Sequence, residues 1–210
     1  MKSVPRHLCM IYDGDPAKSL PCIATLILGK LAQNFRCLYL NSPQMVEGIH
    51  PQLAAAGVDV SEEIRRGSLV LTSSQSHLVD GHFDPASMIT MLTGAVRRAL
   101  SEGYRGLFAT GDMTWEFGPD QDFDTLLEYE NALEDVFERL PHLSGVCQYH
   151  QGTLPVEALR KGLHTHRGLY VNETLRRINP YYKDPELLTR IQLTVSMKQV
   201  KERLDQLCAV

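Results

Sequence analysis

The sequence lacks the marks of several protein classes. Its five cysteines (Cys9, Cys22, Cys37, Cys147, Cys208) contain no CxxC pair. An odd count without paired spacing reads as reduced thiols in a cytoplasmic protein rather than a disulfide framework. The longest apolar run, Cys22 to Leu28, is broken by Thr25 and ends at Gly29-Lys30, far short of the ~18 residues of a membrane span. The opening Met1-Lys2-Ser3-Val4-Pro5-Arg6-His7 has no apolar core of the kind a signal peptide needs. Charge of one sign is also missing: 21 basic against 25 acidic residues leave a net charge of −4, interspersed along the chain. That balance argues against a protein held mainly by nucleic-acid phosphates. No GxSxG elbow or HExxH helix is present.

What is present is an ordinary globular composition, 43% apolar and 22% charged over 210 residues. Such a chain can bury roughly 70% of its unfolded surface without a metal or disulfide staple. Short apolar runs at His7–Tyr12, Cys37–Leu40, Leu69–Thr72, Leu107–Thr110, Ser144–Tyr149 and Leu169–Val171 read as strands. Between them lie helical patterns. Asp15-Pro16 caps a stripe from Leu20 to Ala32, Pro43–Ala56 is a helix interrupted at Gly48–Pro51, and Ser61 caps Ser61–Arg66. Asp84-Pro85 caps a stripe from Met88 to Leu100, and Asp122–Leu140 and Val156–Leu163 are two more helices. Alternation of this kind implies parallel strands joined by helical crossovers, hence an α/β three-layer sandwich with a mainly parallel sheet. Asn179 to Pro185 separates this α/β body, residues 5–182, from a final amphipathic helix over residues 184–210. There Leu193, Met197, Val200, Leu204 and Leu207 form a two-heptad seam, which either packs on its own body or pairs with a second copy or a partner's helix.

In open parallel sheets, ligands bind outside the carboxyl ends of the strands. This rule selects Tyr12 and Asp13 after the first strand, Asn41 after the second and Thr72 after the third. It adds Asp112, Trp115 and Glu116 after the fourth, and Tyr149 and His150 after the fifth. The Gly111–Gly118 stretch holds the single tryptophan beside two carboxylates, and its plainer reading is a capped turn at the edge of the core. Glu130 interrupts an apolar stripe of Leu126, Leu127, Leu133 and Phe137, so it needs a buried partner or must become neutral. The turn Asp13 to Ser19 stands where a phosphate loop would lie, with Lys18-Ser19 kept. Tyr12 and Ala17 replace the required glycines, and Asp13 and Asp15 would repel phosphate. His77/His82, His164/His166 and Cys147/His150 match no dedicated zinc spacing, so no metal or other cofactor is expected.

His7-Leu8-Cys9-Met10-Ile11-Tyr12 resembles the HxCxxY opening of the MEDS domain, the methanogen and methylotroph sensory domain found in a dichloromethane-responsive regulator. The likeness continues in order through Gly57-Val58-Asp59, Gly81-His82-Phe83-Asp84-Pro85, Gly111-Asp112-Met113-Thr114-Trp115 and Glu128-Tyr129-Glu130. It also covers Cys147-Gln148-Tyr149 and Asn179-Pro180-Tyr181-Tyr182. The resemblance implies a core similar to RecA and circadian-clock ATPases without their phosphate loop. It further implies a non-enzymatic role in sensing small hydrocarbon derivatives and signalling through a regulator or kinase. The expected ligand set is Tyr12, Asp112, Trp115, Glu116, Glu130 and Tyr149, with His7, Cys9, Asp13, Lys18, Asn41 and Thr72 as secondary candidates. His7 and Tyr12 lie about 16 Å apart along a regular strand and face opposite sides, so they cannot both touch one small ligand. Two rivals remain: a divergent nucleotide hydrolase, with Lys18 on phosphate, Asp112 on Mg²⁺ and Glu116 polarising water, and a protein-interaction module.

Overall fold

The computed structural model describes residues 5–118, 123–170, 176–178 and 202. In chain order the elements are β1 (His7–Tyr12), α1 (Leu20–Leu31), β2 (Arg36–Leu40), α2 (Pro43–Ala55), α3 (Val60–Arg65) and β3 (Leu69–Thr72). A small hairpin of β4 (Leu78–Val79) and β5 (His82–Phe83) precedes α4 (Pro85–Ser101), β6 (Leu107–Asp112) and the one-turn α5 (Met113–Glu116). Then come α6 (Leu126–Arg139), β7 (Leu143–His150), α7 (Val156–Thr165), β8 (Gly168–Tyr170) and β9 (Arg176–Ile178). The main sheet runs β3-β2-β6-β7-β1-β8-β9, parallel throughout except that β9 pairs antiparallel with β8. This is the expected three-layer α/β sandwich.

Two cores form because strand side chains alternate in direction. One face of the sheet packs on α1 and α2 through Ile23, Ile27, Ile49 and Leu53, all fully buried. The other packs on α4, α6 and α7 through Met88, Leu126, Leu133 and Leu159. Each such side chain contributes ~1.5–3 kcal/mol on burial, so these stripes fix which face of each helix meets the sheet.

Local chemistry explains where the element ends differ from the sequence pattern. Asp59, not Ser61, caps α3, with Oδ1 accepting from Glu62 N at 3.1 Å. Gly48–Pro51 does not interrupt α2, which is continuous with Pro51 inside it. Gly48 instead admits the close approach of α1, since a Cβ there would stand 3.0 Å from Leu20 Cδ1. Asp15 does cap a helical turn, the 3-10 segment Pro16–Ser19 ahead of α1. Asp84 accepts from Ser87 N at 2.8 Å and starts α4 as expected. The strand expected at Leu69–Thr72 is present as β3, whereas β6 is longer than expected and ends at Asp112. The body boundary at 182, Val171, the Asn179–Pro185 junction and the 184–210 helix fall outside the described residues, apart from residue 202.

Candidate functional site

The carboxyl ends of β1, β2, β6 and β7 open onto a cleft of about 250 Å³ lined by Tyr12, Asn41, Asp112, Trp115 and His150 among others. The parallel register explains why these residues meet. Tyr12 lies opposite His150 across the β1–β7 pair, and Asp112 opposite Gln148 across β6–β7. All four therefore share one face of the sheet. The Tyr12 hydroxyl donates to Asp112 Oδ2 at 3.4 Å, and the Tyr12 and His150 rings lie 5.0 Å apart. Asp112 also caps α5, accepting from Trp115 N at 3.0 Å. Burial raises the Asp112 carboxyl above its ordinary range, opposed by the Trp115 amide and the Tyr12 hydroxyl. Asn41 is held from both ends: its amide donates to Tyr39 at 3.0 Å and its oxygen accepts from Ser42 N at 2.8 Å.

A roof closes over α5. Gln75 donates to Trp115 O at 2.8 Å, and His77 donates through Nε2 to Glu116 O at 2.8 Å. The hairpin behind it turns on Asp80 (φ 52°) and Gly81 (φ 86°), both left-handed, as a two-residue hairpin requires. The sequence pattern leaves this segment a polar loop, although Asp80-Gly81 is a strong hairpin signal.

The six residues of the expected ligand set do not line one pocket. Tyr12, Asp112 and Trp115 line the cleft, while Glu116, Glu130 and Tyr149 are buried within the α4/α6/α7 side. Strand alternation causes the division: Tyr149 and His150 point oppositely, so His150 reaches the cleft and Tyr149 does not. Trp115 belongs to both regions, lining the cleft and packing in the α6-side core. Glu116 receives the Tyr129 hydroxyl at 3.3 Å, and burial together with the Glu130 charge pushes its carboxyl up to about 8.

Glu130, on α6, is fully buried among polar side chains, with a hydrogen bond to one of its two oxygens. Tyr149 donates its hydroxyl to Oε1. Facing Oε2 are His7 Nε2 at 3.6 Å and His166 Nε2 at 3.4 Å. Burial raises the Glu130 carboxyl, and the His7 charge and the Tyr149 hydroxyl only partly offset it. Burial likewise depresses His7, and it lowers His166 to about 4. His7 ties β1 to α6 through Glu134 (2.9 Å) and to β7 through Cys147 Sγ (3.3 Å). It therefore belongs with Glu130, not with Tyr12. Cys9 is fully buried opposite Cys147 in the strand register, a packing position. None of the histidine or cysteine pairs weighed by sequence spacing is the set assembled here.

The remaining candidates stand apart. Thr72 Oγ1 accepts from Ser74 N at 3.0 Å, a local turn contact. Asp13 and Lys18 are exposed. In the Asp13–Ser19 turn, Asp15 occupies the amides a phosphate would need: Ala17 N donates to its Oδ1 and Lys18 N to its carbonyl, both at 3.0 Å. His150 Nε2 donates to Gly14 O at 2.8 Å and ties this turn to β7.

An open parallel sheet with helices on both faces and a cleft at its carboxyl edge defines the class. The fold is similar to that of flagellar accessory protein FlaH from Methanocaldococcus jannaschii, at 12% identity and a TM-score of 0.56, covering 85% of this chain and 80% of that one. This agrees with a RecA-like core. The family model for MEDS, the methanogen/methylotroph DcmR sensory domain, matches residues 6–167, and the chain belongs to that family. No curated protein matches the chain. No helix among the described residues is long and apolar enough to cross a membrane.

Proposed function

We propose that this chain is a non-enzymatic sensory domain that binds a small, partly apolar molecule in the cleft at Tyr12, Asp112, Trp115 and His150. The observation that carries this reading is a 250 Å³ cleft at the carboxyl ends of four parallel strands, in a member of a sensory family. Two aromatic walls and a few polar anchors suit a ligand much smaller than a nucleotide. Tyr12, Trp115 and the His150 ring supply contact area, while Asp112 and Asn41 orient the polar end. Glu116, Glu130 and Tyr149 support the site from behind the sheet rather than touching the ligand. Binding is passed to a regulator or kinase; the apolar seam of residues 193–207 is the segment proposed to reach that partner or a second copy.

The nucleotide hydrolase reading is disfavoured by three features of the turn and cleft. Asp15 already holds the loop amides, Lys18 is exposed, and Glu116 is turned to Tyr129 on α6 while Asp112 lines the cleft. Mass spectrometry of small molecules released from the native protein should identify the ligand. Its re-addition should shift the emission of Trp115, the one tryptophan in the sequence. Calorimetric titration with ATP and Mg²⁺ should give no binding heat. Saturable heat with ATP, or a ligand that leaves the Trp115 emission unchanged, would overturn the proposal.

A further inference from the structure

On the face of the sheet opposite the cleft, four metal-ligating atoms converge: His7 Nε2, Glu130 Oε2, Cys147 Sγ and His166 Nε2, all within 4.8 Å of one another. They come from β1, α6, β7 and the residue that ends α7. We propose that these four side chains form a binding site for a divalent transition metal of the zinc type. This goes beyond the ligand-sensing reading, uses no residue that lines the cleft, and stands or falls separately from it.

Three of the six ligand–ligand edges match a tetrahedron, and the other three, each within 4.8 Å, close to one by small side-chain shifts. Metal–nitrogen and metal–oxygen bonds of about 2.0–2.1 Å and a metal–sulfur bond of about 2.3 Å require ligand–ligand edges of about 3.3–3.6 Å. The edges seen are 3.3 Å for His7 Nε2 to Cys147 Sγ, 3.6 Å for His7 Nε2 to Glu130 Oε2, and 3.4 Å for His166 Nε2 to Glu130 Oε2.

The outer contacts set both imidazoles for coordination. His166 Nδ1 lies 2.8 Å from Gly162 O, and a carbonyl can only accept, so Nδ1 carries the hydrogen. His7 Nδ1 lies 2.9 Å from Glu134 Oε2, and that carboxylate also accepts from Arg167 Nε at 3.0 Å. His7 Nδ1 is thus a donor as well. In both rings the neutral tautomer turns the Nε2 lone pair toward Glu130. An outer carboxylate or carbonyl that fixes the tautomer in this way is the usual support of a metal-bound histidine.

Glu130 supplies the independent observation. Its Oε2 is fully buried and accepts no hydrogen bond among the described residues, while Oε1 is taken by Tyr149. A fully buried carboxylate oxygen that accepts no hydrogen bond among the described residues, with the Nε2 atoms of His7 and His166 beside it, is an arrangement that a cation relieves. The charge also closes. A divalent ion with one thiolate, one carboxylate and two neutral imidazoles makes a neutral unit, which a core tolerates. On binding, the Cys147 thiol hydrogen leaves to solvent as a proton and no electron is transferred. His7, Glu130 and His166 expose 2%, 0% and 0% of their surface, which leaves no open coordination position to water and points to a structural centre.

The test uses the full chain, stripped with chelator and titrated with Co²⁺ and then Zn²⁺. One equivalent of Co²⁺ should give tetrahedral visible absorption and a thiolate-to-cobalt charge-transfer band. Zn²⁺ should displace it and raise the thermal midpoint. Cys147→Ser should abolish the charge-transfer band, and Glu134→Gln should weaken binding by roughly 10–100-fold with the spectrum kept. Cys22→Ser, on the far side of the sheet, should change nothing. Should Cys147→Ser not fold, X-ray absorption of the wild-type cobalt form must show one sulfur and three lighter ligands. A folded chain that takes up no Co²⁺, a Cys147→Ser spectrum like wild type, or a sulfur-free coordination shell would overturn the site.

Discussion

The Tyr12 hydroxyl stands 3.4 Å from Asp112 Oδ2, although their strands are not neighbours: β7 lies between β1 and β6. The contact bridges the end of an intervening strand, so it reports the packing of three strand ends at once. It also shows that Asp112 serves two partners, Tyr12 through Oδ2 and the Trp115 amide through Oδ1.

That double duty orders two substitutions. Tyr12→Phe removes the long, partly exposed hydrogen bond to Asp112 and a contact with the Ser19 hydroxyl, and should cost about 1 kcal/mol. Asp112→Ala removes the same bond and the cap of α5, adding ~0.5–2 kcal/mol for the lost cap. Urea unfolding of both variants should place Asp112→Ala below Tyr12→Phe. The reverse order would mean that the cap is dispensable.

Glu130 and Glu128 give a second comparison on a single helix. Glu128 is exposed and Glu130 fully buried. Glu130→Ala should cost roughly 1–3 kcal/mol, because it leaves the buried Tyr149 hydroxyl without its acceptor. Glu128→Ala should stay within ~0.5 kcal/mol of wild type, as surface changes do. Equal midpoints in denaturant would remove any special status from the Glu130 environment.

Two helical glycines predict opposite signs. A Cβ on Gly94, in α4, meets nothing within 4 Å, whereas one on Gly162, in α7, would stand 2.5 Å from Tyr149 Cζ. Alanine in a helix gains up to ~1 kcal/mol over glycine, and overpacking costs ~1–3 kcal/mol. Gly94→Ala should therefore raise the thermal midpoint and Gly162→Ala should lower it. A stabilised Gly162→Ala would show that Tyr149 can move at little cost, and that the Glu130 hydrogen bond does not hold it.

The residues involved show what the chain's pattern reveals. The helix stripe exposes Glu130 as an anomaly, because a period of 3.6 is a local property. The Asp84 cap and the order of strands and helices are legible for the same reason. The partner of Glu130 is not: that His7 meets it depends on β1 lying beside β7 in a fixed register, with His7 opposite Gly145. Register decides equally that His150 and not Tyr149 joins Tyr12, since a shift of one residue turns every side chain to the other face. Asp80-Gly81 is a different case, a local signal in plain view whose consequence, a roof over Trp115, only the tertiary structure reveals.

Glu116 gives a pH dependence of defined sign. Its carboxyl is pushed up to about 8 from an ordinary 4.5, first by burial and then by the Glu130 charge. Between those values the unfolded chain has lost this proton while the folded chain keeps it. Stability therefore falls as pH rises through the window and levels off above the folded value. Its slope is at most about 1.4 kcal/mol per pH unit. Across the window the loss is on the order of a few kcal/mol, with Glu130, Asp112 and Tyr129 sharing the environment. Glu116→Gln keeps the shape and the Tyr129 contact but has no proton to lose. Its unfolding free energy relative to wild type should therefore improve steadily from about pH 5 to about pH 9, the range over which the wild-type group ionises. Denaturant unfolding at several pH values checks this directly. A constant difference between the two proteins would mean that Glu116 ionises in the folded state as easily as in water, against its burial behind the roof of His77 and Gln75.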